Sequence, residues 1–162
     1  MILLAKASIL ETIADVEDLI IGKCVYDETV VRGKKKSITD SLIIEKLVID
    51  GKIKVGEASP DEMIKLKESF GITCGENETV AIAIKEKCRF VITDDKKCMV
   101  VCKVLNIPFM IALDVVVDLR VNKKISHNKA IRAFKKIKKC GWLSEKIIDS
   151  RWNKLEEVVK LK

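Results

Sequence analysis

The hydrophobic positions follow two rhythms, one of helical period and one of short β-rich runs. Leu3, Leu4, Ala7 and Leu10 share one helical face and predict an opening helix over residues 2–13. LIIGKCV (19–25) reads as a strand, and a helical piece from Asp27 to Val31 is expected to end near Gly33. Thr39 or Asp40 suits the cap of a helix running to about Asp50, with Gly51 as its stop. KIKV (52–55) follows as a strand. In SPDE (59–62), Ser59 is placed to cap, Pro60 takes the first helical position, and Glu62 closes a capping box. That helix runs to Gly71, and a second, from Gly75 or Glu76, turns Val80, Ala81, Ala83 and Ile84 inward. RFVIT (89–93), KKCMVVCKVL (96–105) and PFMIA (108–112) read as strand, helix and strand, a parallel unit with a right-handed crossover. Asp114, Ser126 and Ser144 are placed to cap three further helices. The alternation predicts an α/β sandwich with a parallel sheet, and a crevice at the carboxyl ends of its strands. With no repeat, low-complexity tract or linker, residues 1–162 read as one domain, with 126–162 a basic helical extension.

Composition narrows the class. Aromatic residues make up only 4%, so aliphatic side chains must fill the core, which argues against recognition by exposed aromatic stacking. No apolar run reaches the roughly 18 residues of a membrane span, and MILLAKASIL lacks the charged lead-in of a signal peptide. A soluble cytoplasmic protein is expected. Cys24, Cys74, Cys88, Cys98, Cys102 and Cys140 include no CxxC pair, and His127 is the only histidine, which argues against zinc. Cys98 and Cys102, four apart on a helix, read as small buried hydrophobes, and free thiols suit a reducing compartment. Residues 120–162 carry 14 Lys and Arg against 4 acids, whereas residues 1–119 carry 17 against 20. An acidic body suits cations, and a basic end suits a polyanion or a set of solvated helix faces.

Acids collect where the crevice is expected. Asp94 and Asp95 follow RFVIT, Asp27 and Glu28 follow the strand ending near Val25, and Glu76 and Glu78 open the helix before RFVIT. Residues two apart on a helix point about 200° apart, so one of Glu76 and Glu78 faces inward. The core character of Ile82, four residues on, favours Glu78. Each acid alone is explained by helix capping. Together they would repel one another unless a divalent ion or a shared proton offset the repulsion. Oxygen ligands without histidine or thiolate suit Mg²⁺ or Mn²⁺, which activates water and stabilises charge in phosphodiester displacement.

VYDETVVRGKK (25–35), GENETVAIAI (75–84) and VITDDKKCMVVCKVLNIP (91–108) resemble the PIN-domain family, in its prokaryotic branch with a GExE motif and a DD pair. LLAKASILE (3–11) and the helix from Ser126 extend the likeness. The resemblance implies a three-layer α/β/α sandwich and Mg²⁺- or Mn²⁺-dependent cleavage of RNA, commonly by toxin nucleases paired with an antitoxin. It also makes a homodimer an expected assembly. By position, Glu28, Glu78 and Asp95 match the catalytic, metal-holding acids; Glu76 opens GExE, Thr93 belongs to the T-x-D pattern, and Asp94 is the further acid of the pair. Glutamate stands at Glu78 where many relatives have aspartate. The family's first strand, with its Asp, precedes the LLAK-like segment. Here Met1 stands in that register and the first aspartate is Asp15. The sandwich is therefore expected without its first strand and that ligand, with weakened metal-dependent activity.

Lys34, Lys35 and Lys36 in a loop, and Lys135, Lys136, Lys138 and Lys139 near a helix end, are the candidate nucleic-acid contacts; solvation and the helix dipole explain both sets equally. His127 is expected at the surface, and Trp142 and Trp152 in core or dimer packing. The first reading is a PIN-type ribonuclease. The alternative is a non-catalytic PIN-like module that binds RNA or protein. A phosphoacceptor receiver using Asp94 and Asp95 is disfavoured, because PFMIA is followed by Leu113-Asp114 and no lysine.

Overall fold

Helices and short parallel strands alternate along the chain, and the computed structural model gives their bounds. It describes residues 1–35, 39–141 and 143–160, with side chains through Glu157. Two units emerge from the backbone contacts: Asp18–Met110, and Met1–Glu17 together with Ile111–Lys162. Among the described residues no helix is long and apolar enough to cross a membrane.

In the Asp18–Met110 unit, β1 (Leu19–Gly22) pairs in parallel with β2 (Ile53–Gly56), Leu19 opposite Ile53 and Gly22 opposite Gly56. The strand expected over 19–25 therefore stops at Gly22. The Cys24 N–H turns to a side-chain carboxylate, and the chain enters α3 (Lys23–Tyr26). A π-helical turn (Asp27–Val31) and α4 (Arg32–Lys35) continue the same helical run. Lys34 and Lys35, expected in a loop, are helical, and Lys34 Nζ pairs with Glu45 Oε1 at 2.8 Å. Lys36 lies outside the described residues. Glu45 belongs to α5 (Thr39–Ile49).

In α6 (Pro60–Phe70), Ser59 stands at the N-cap but its side chain makes no cap bond, so the expected capping box with Glu62 does not form. Pro60, and the acids of the first turn against the helix dipole, favour this start instead. Gly71 ends the helix at φ +64°, a left-handed conformation open to glycine. Then α7 (Cys74–Lys85) buries Val80, Ala81, Ile82 and Ala83 and contacts both β1 and β3. Ile84, expected inward, falls in its last turn and is 38% exposed. The parallel unit of β3 (Val91–Ile92), α8 (Lys96–Val104) and β4 (Phe109–Met110) forms as expected, with shorter strands. Its pairing runs from the Val91 N–H, donating to the Pro108 carbonyl, to the Thr93 N–H, donating to the Met110 carbonyl. Leu66, Ile72, Val80, Val91 and Val101 make an aliphatic core with Cys98 and Cys102. The Cys98 thiol, hydrogen-bonded to Cys102 and buried, is pushed up and stays protonated.

In the other unit the single helix expected over 2–13 divides into α1 (Ile2–Lys6) and α2 (Leu10–Ala14), because Ser8 takes φ +58°. α9 (Ala112–Val121) starts before Asp114, which caps from inside: its Oδ2 accepts the Ile111 N–H at 3.2 Å. Its Oδ1 accepts Arg151 Nε–H from α11 (Glu145–Lys160) at 2.7 Å. α10 (His127–Cys140) is capped by the Ser126 hydroxyl and buries Ala130, Ala133, Phe134 and Ile137. Both α10 and α11 pack on α9. Trp152 stands edge to face against Phe134, ring centres 5.2 Å apart, while Trp142 lies outside the described residues. His127, expected at the surface, is half-buried at the start of α10.

Asp114 joins a helix start to a neighbouring helix, so Asp114→Ala removes two hydrogen bonds, one of them charge-assisted. It is expected to lower stability by about 1–3 kcal/mol in urea denaturation. Arg151→Ala is expected to lower it less, and the double variant to fall short of the sum, because the two share one bond. Strict additivity would remove the coupling.

Candidate functional site

The carboxyl end of β1 is where the Asp18–Met110 unit brings acids together. Glu78, on α7, is only 7% exposed. Its Oε2 accepts the Cys24 N–H at 2.7 Å, at the point where α3 begins. Gly22, the last residue of β1, lies directly beneath, and any Cβ there would run into the Glu78 carboxylate. Gly75 plays the same part on the other side. A Cβ on Gly75 would lie 3.3 Å from Val25 Cγ2 and 3.8 Å from Glu28 Oε2. Two glycines thus let the helical run after β1 and the start of α7 close around the Glu28 and Glu78 side chains.

The electrostatics record the same convergence. The Cys24 thiol is pushed above its usual range, first by burial, then by the Glu78 charge, by Cys74, by its hydrogen bond to Glu78, and by Glu28. Both carboxylates therefore act on one point. Among the described residues neither is ion-paired with a Lys, Arg or His. An oxygen-donor pair of this kind suits a hard dication, and Mg²⁺ is commonly held by one or two carboxylates with water and substrate phosphate completing its shell.

The remaining acids occupy other places. Asp95, exposed, is the N-cap of α8: its Oδ1 accepts the Cys98 N–H at 2.8 Å, and its own N–H donates to Thr93 Oγ1 at 3.2 Å. Asp94 and Glu76 are half-buried. Among the described residues no three His, Cys, Asp or Glu side chains are arranged to hold a metal ion. The expected convergence of Glu28, Glu78 and Asp95 is thus realised for the two glutamates, and Asp95 is held at its helix by capping. Sequence reasoning missed the cradle formed by Gly22, Cys24 and Gly75. A glycine at the end of a β-rich run and another directly before the acid of GExE were the available signals.

Among the basic candidates, Lys34 is engaged by Glu45, and Lys136 Nζ donates to the Lys6 carbonyl at 3.2 Å. Lys35, Lys135, Lys138 and Lys139 are exposed. Lys135 and Lys138 border a hollow with Phe134 and Trp152.

Parallel strands, crossover helices and a buried acid at a strand's carboxyl end define an α/β protein with its crevice at the sheet edge expected for that class. A family model described as a PIN domain matches residues 1–157, and the chain belongs to the PIN-domain family, whose members generally use divalent metal ions. No curated protein and no solved structure matches the chain.

Alkylation reports on this site. The thiolate is the reactive form, so a thiol pushed up reacts with its midpoint shifted to higher pH. In iodoacetamide labelling read by peptide mass, Cys24 is expected to titrate above the ordinary value of about 8.5. Glu78→Gln, which keeps an acceptor for the Cys24 N–H but removes the charge, is expected to lower that midpoint. An unchanged midpoint would place Glu78 away from the thiol.

Proposed function

We propose that the chain is a metal-dependent ribonuclease of the PIN type, centred on Glu28 and Glu78. The observation that carries this reading is a pair of carboxylates, one deeply buried, meeting at the carboxyl end of β1 with no basic side chain to offset them among the described residues. Such a pair is costly to desolvate and is relieved by a hard cation. When bound, Mg²⁺ or Mn²⁺ supplies Lewis-acid stabilisation to a phosphodiester undergoing in-line displacement.

The chain's own residues do the rest. Cys24, through its N–H and its thiol, fixes the Glu78 carboxylate in one orientation, and Gly22 leaves room for it. Glu28, exposed on the π-helical turn, faces solvent, where a substrate phosphate arrives. Asp95 and Asp94 lie at the start of α8 and are the further acids of the reading. Lys35, exposed on α4, adds positive charge on the same run of helix as Glu28. RNA is the substrate on this reading, and a cognate antitoxin protein is the expected inhibitor.

The second reading is a module that binds RNA or protein without cutting it. It is favoured by one observation, the Asp95 cap bond, which engages one oxygen of the third acid.

Cleavage of a single-stranded RNA in Mn²⁺, abolished by chelator, is expected of the wild type. Glu78→Gln is expected to reduce it by on the order of 100-fold or more. Calorimetric Mn²⁺ titration of wild type and Asp95→Asn reports whether Asp95 contributes to binding. RNA bound but not cut, with no Mn²⁺ uptake by either protein, would establish the module instead.

A further inference from the structure

A second feature stands apart from the carboxylates, in the unit built from α1, α2 and α9–α11. Between α10 and α11 lies a cavity of about 260 Å³, lined by Phe134, Lys135, Lys138, Ile148, Asp149 and Trp152. Phe134 and Ile148 are buried and make an apolar floor, and Lys135, Lys138 and Asp149 are exposed at the rim. Trp152 is half-buried and its ring is steadied by the edge-to-face contact with Phe134. Lys135 and Lys138, three apart on α10, share one helix face. Neither is hydrogen-bonded or ion-paired among the described residues, whereas Lys129 and Lys136 of the same helix are engaged by Thr12 and Lys6.

We propose that this hollow binds a base of single-stranded nucleic acid, the base entering beside Trp152 and the flanking phosphates meeting Lys135 and Lys138. Only the choice of RNA as the natural strand rests on the ribonuclease reading. Three features select this occupant. The cavity is smaller than the roughly 300 Å³ at which pockets begin to enclose a drug-sized ligand, so it takes a single ring system. An aromatic side chain offers a stacking platform that any base satisfies, and two free ammonium groups complement a phosphate backbone. Asp149 adds an acceptor, which suits the exocyclic amine of adenine or cytosine and repels the carboxylates of an acidic peptide. Sparse aromatic content argues against an extended stacking surface, but one tryptophan suffices for one base.

The test uses the full chain with Trp142→Phe, so that Trp152 is the only tryptophan, in chelator so that no cleavage occurs. Titration with a short oligoadenylate is expected to quench the emission saturably, with an affinity that falls steeply with salt. Oligouridylate, lacking the exocyclic amine, is expected to bind more weakly. Lys135→Glu with Lys138→Glu, both at exposed positions, is expected to weaken binding at least tenfold without unfolding the chain. In the parent chain, with binding followed by calorimetry, Trp152→Ala is expected to weaken it by about 5- to 150-fold, and Trp152→Phe to restore most of the loss. Absence of quenching, indifference to the lysine reversals, or quenching by an acidic leucine-containing peptide but not by the oligonucleotide would overturn the proposal, the last making the hollow a protein-docking site. Cleavage by the wild type with no effect at Trp152 would refute this site alone; binding without cleavage would refute the nuclease reading alone.

Discussion

The hydrogen bond between the Cys24 N–H and the buried Glu78 carboxylate is the constraint on which the Asp18–Met110 unit is arranged. A carboxylate withdrawn from water must find donors, and this one finds a backbone amide and the thiol of the same residue. The bond takes from the chain a donor that a longer strand would have used, so β1 ends and a helical run begins. It also fixes the start of α7 against that run, at a separation only glycine at positions 22 and 75 permits. Strand length, helix entry and acid placement are therefore one solution to the problem of burying one charge.

The fold was legible where local chemistry and tertiary packing agree. The β3–α8–β4 unit, the helix from Pro60 to the left-handed Gly71, and the Ser126 cap all follow from residues that have little choice. Legibility failed where a distant side chain intervened. Nothing within 19–25 signals that Cys24 will turn to a glutamate 54 positions on, so the strand was drawn too long. The break at Ser8 requires a left-handed serine, which the helical pattern does not announce. The inward choice of Glu78 over Glu76 was open to periodicity, because Ile82 shares its face. The separation of Asp95 from the two glutamates was not, since a helix cap and a metal ligand are the same residue type at the same position.

The PIN-family membership and the local geometry bear on different questions. Membership assigns the fold over nearly the whole length and the general use of divalent ions. The geometry identifies which two acids are already adjacent and what holds them. The uneven charge along the sequence gains meaning from this division. The acid-rich stretch contains the two glutamates, and the lysine-rich stretch contains the aromatic hollow, so features suited to a cation and to a polyanion lie on separate parts of one polypeptide.

The π-helical turn from Asp27 to Val31 has a consequence of its own. A wide turn contains one residue more than an ordinary one, and each residue advances a helix by about 100°. Removing a single residue between Asp27 and Val31 would tighten the coil and rotate all that follows by that angle. Lys34 would swing away from Glu45, while Cys24, upstream, would keep its grip on Glu78. The turn thus acts as a phase setting. The angular offset between the two ends of the run is written in residue count rather than in side-chain identity, and a length change there would be felt more keenly than most substitutions.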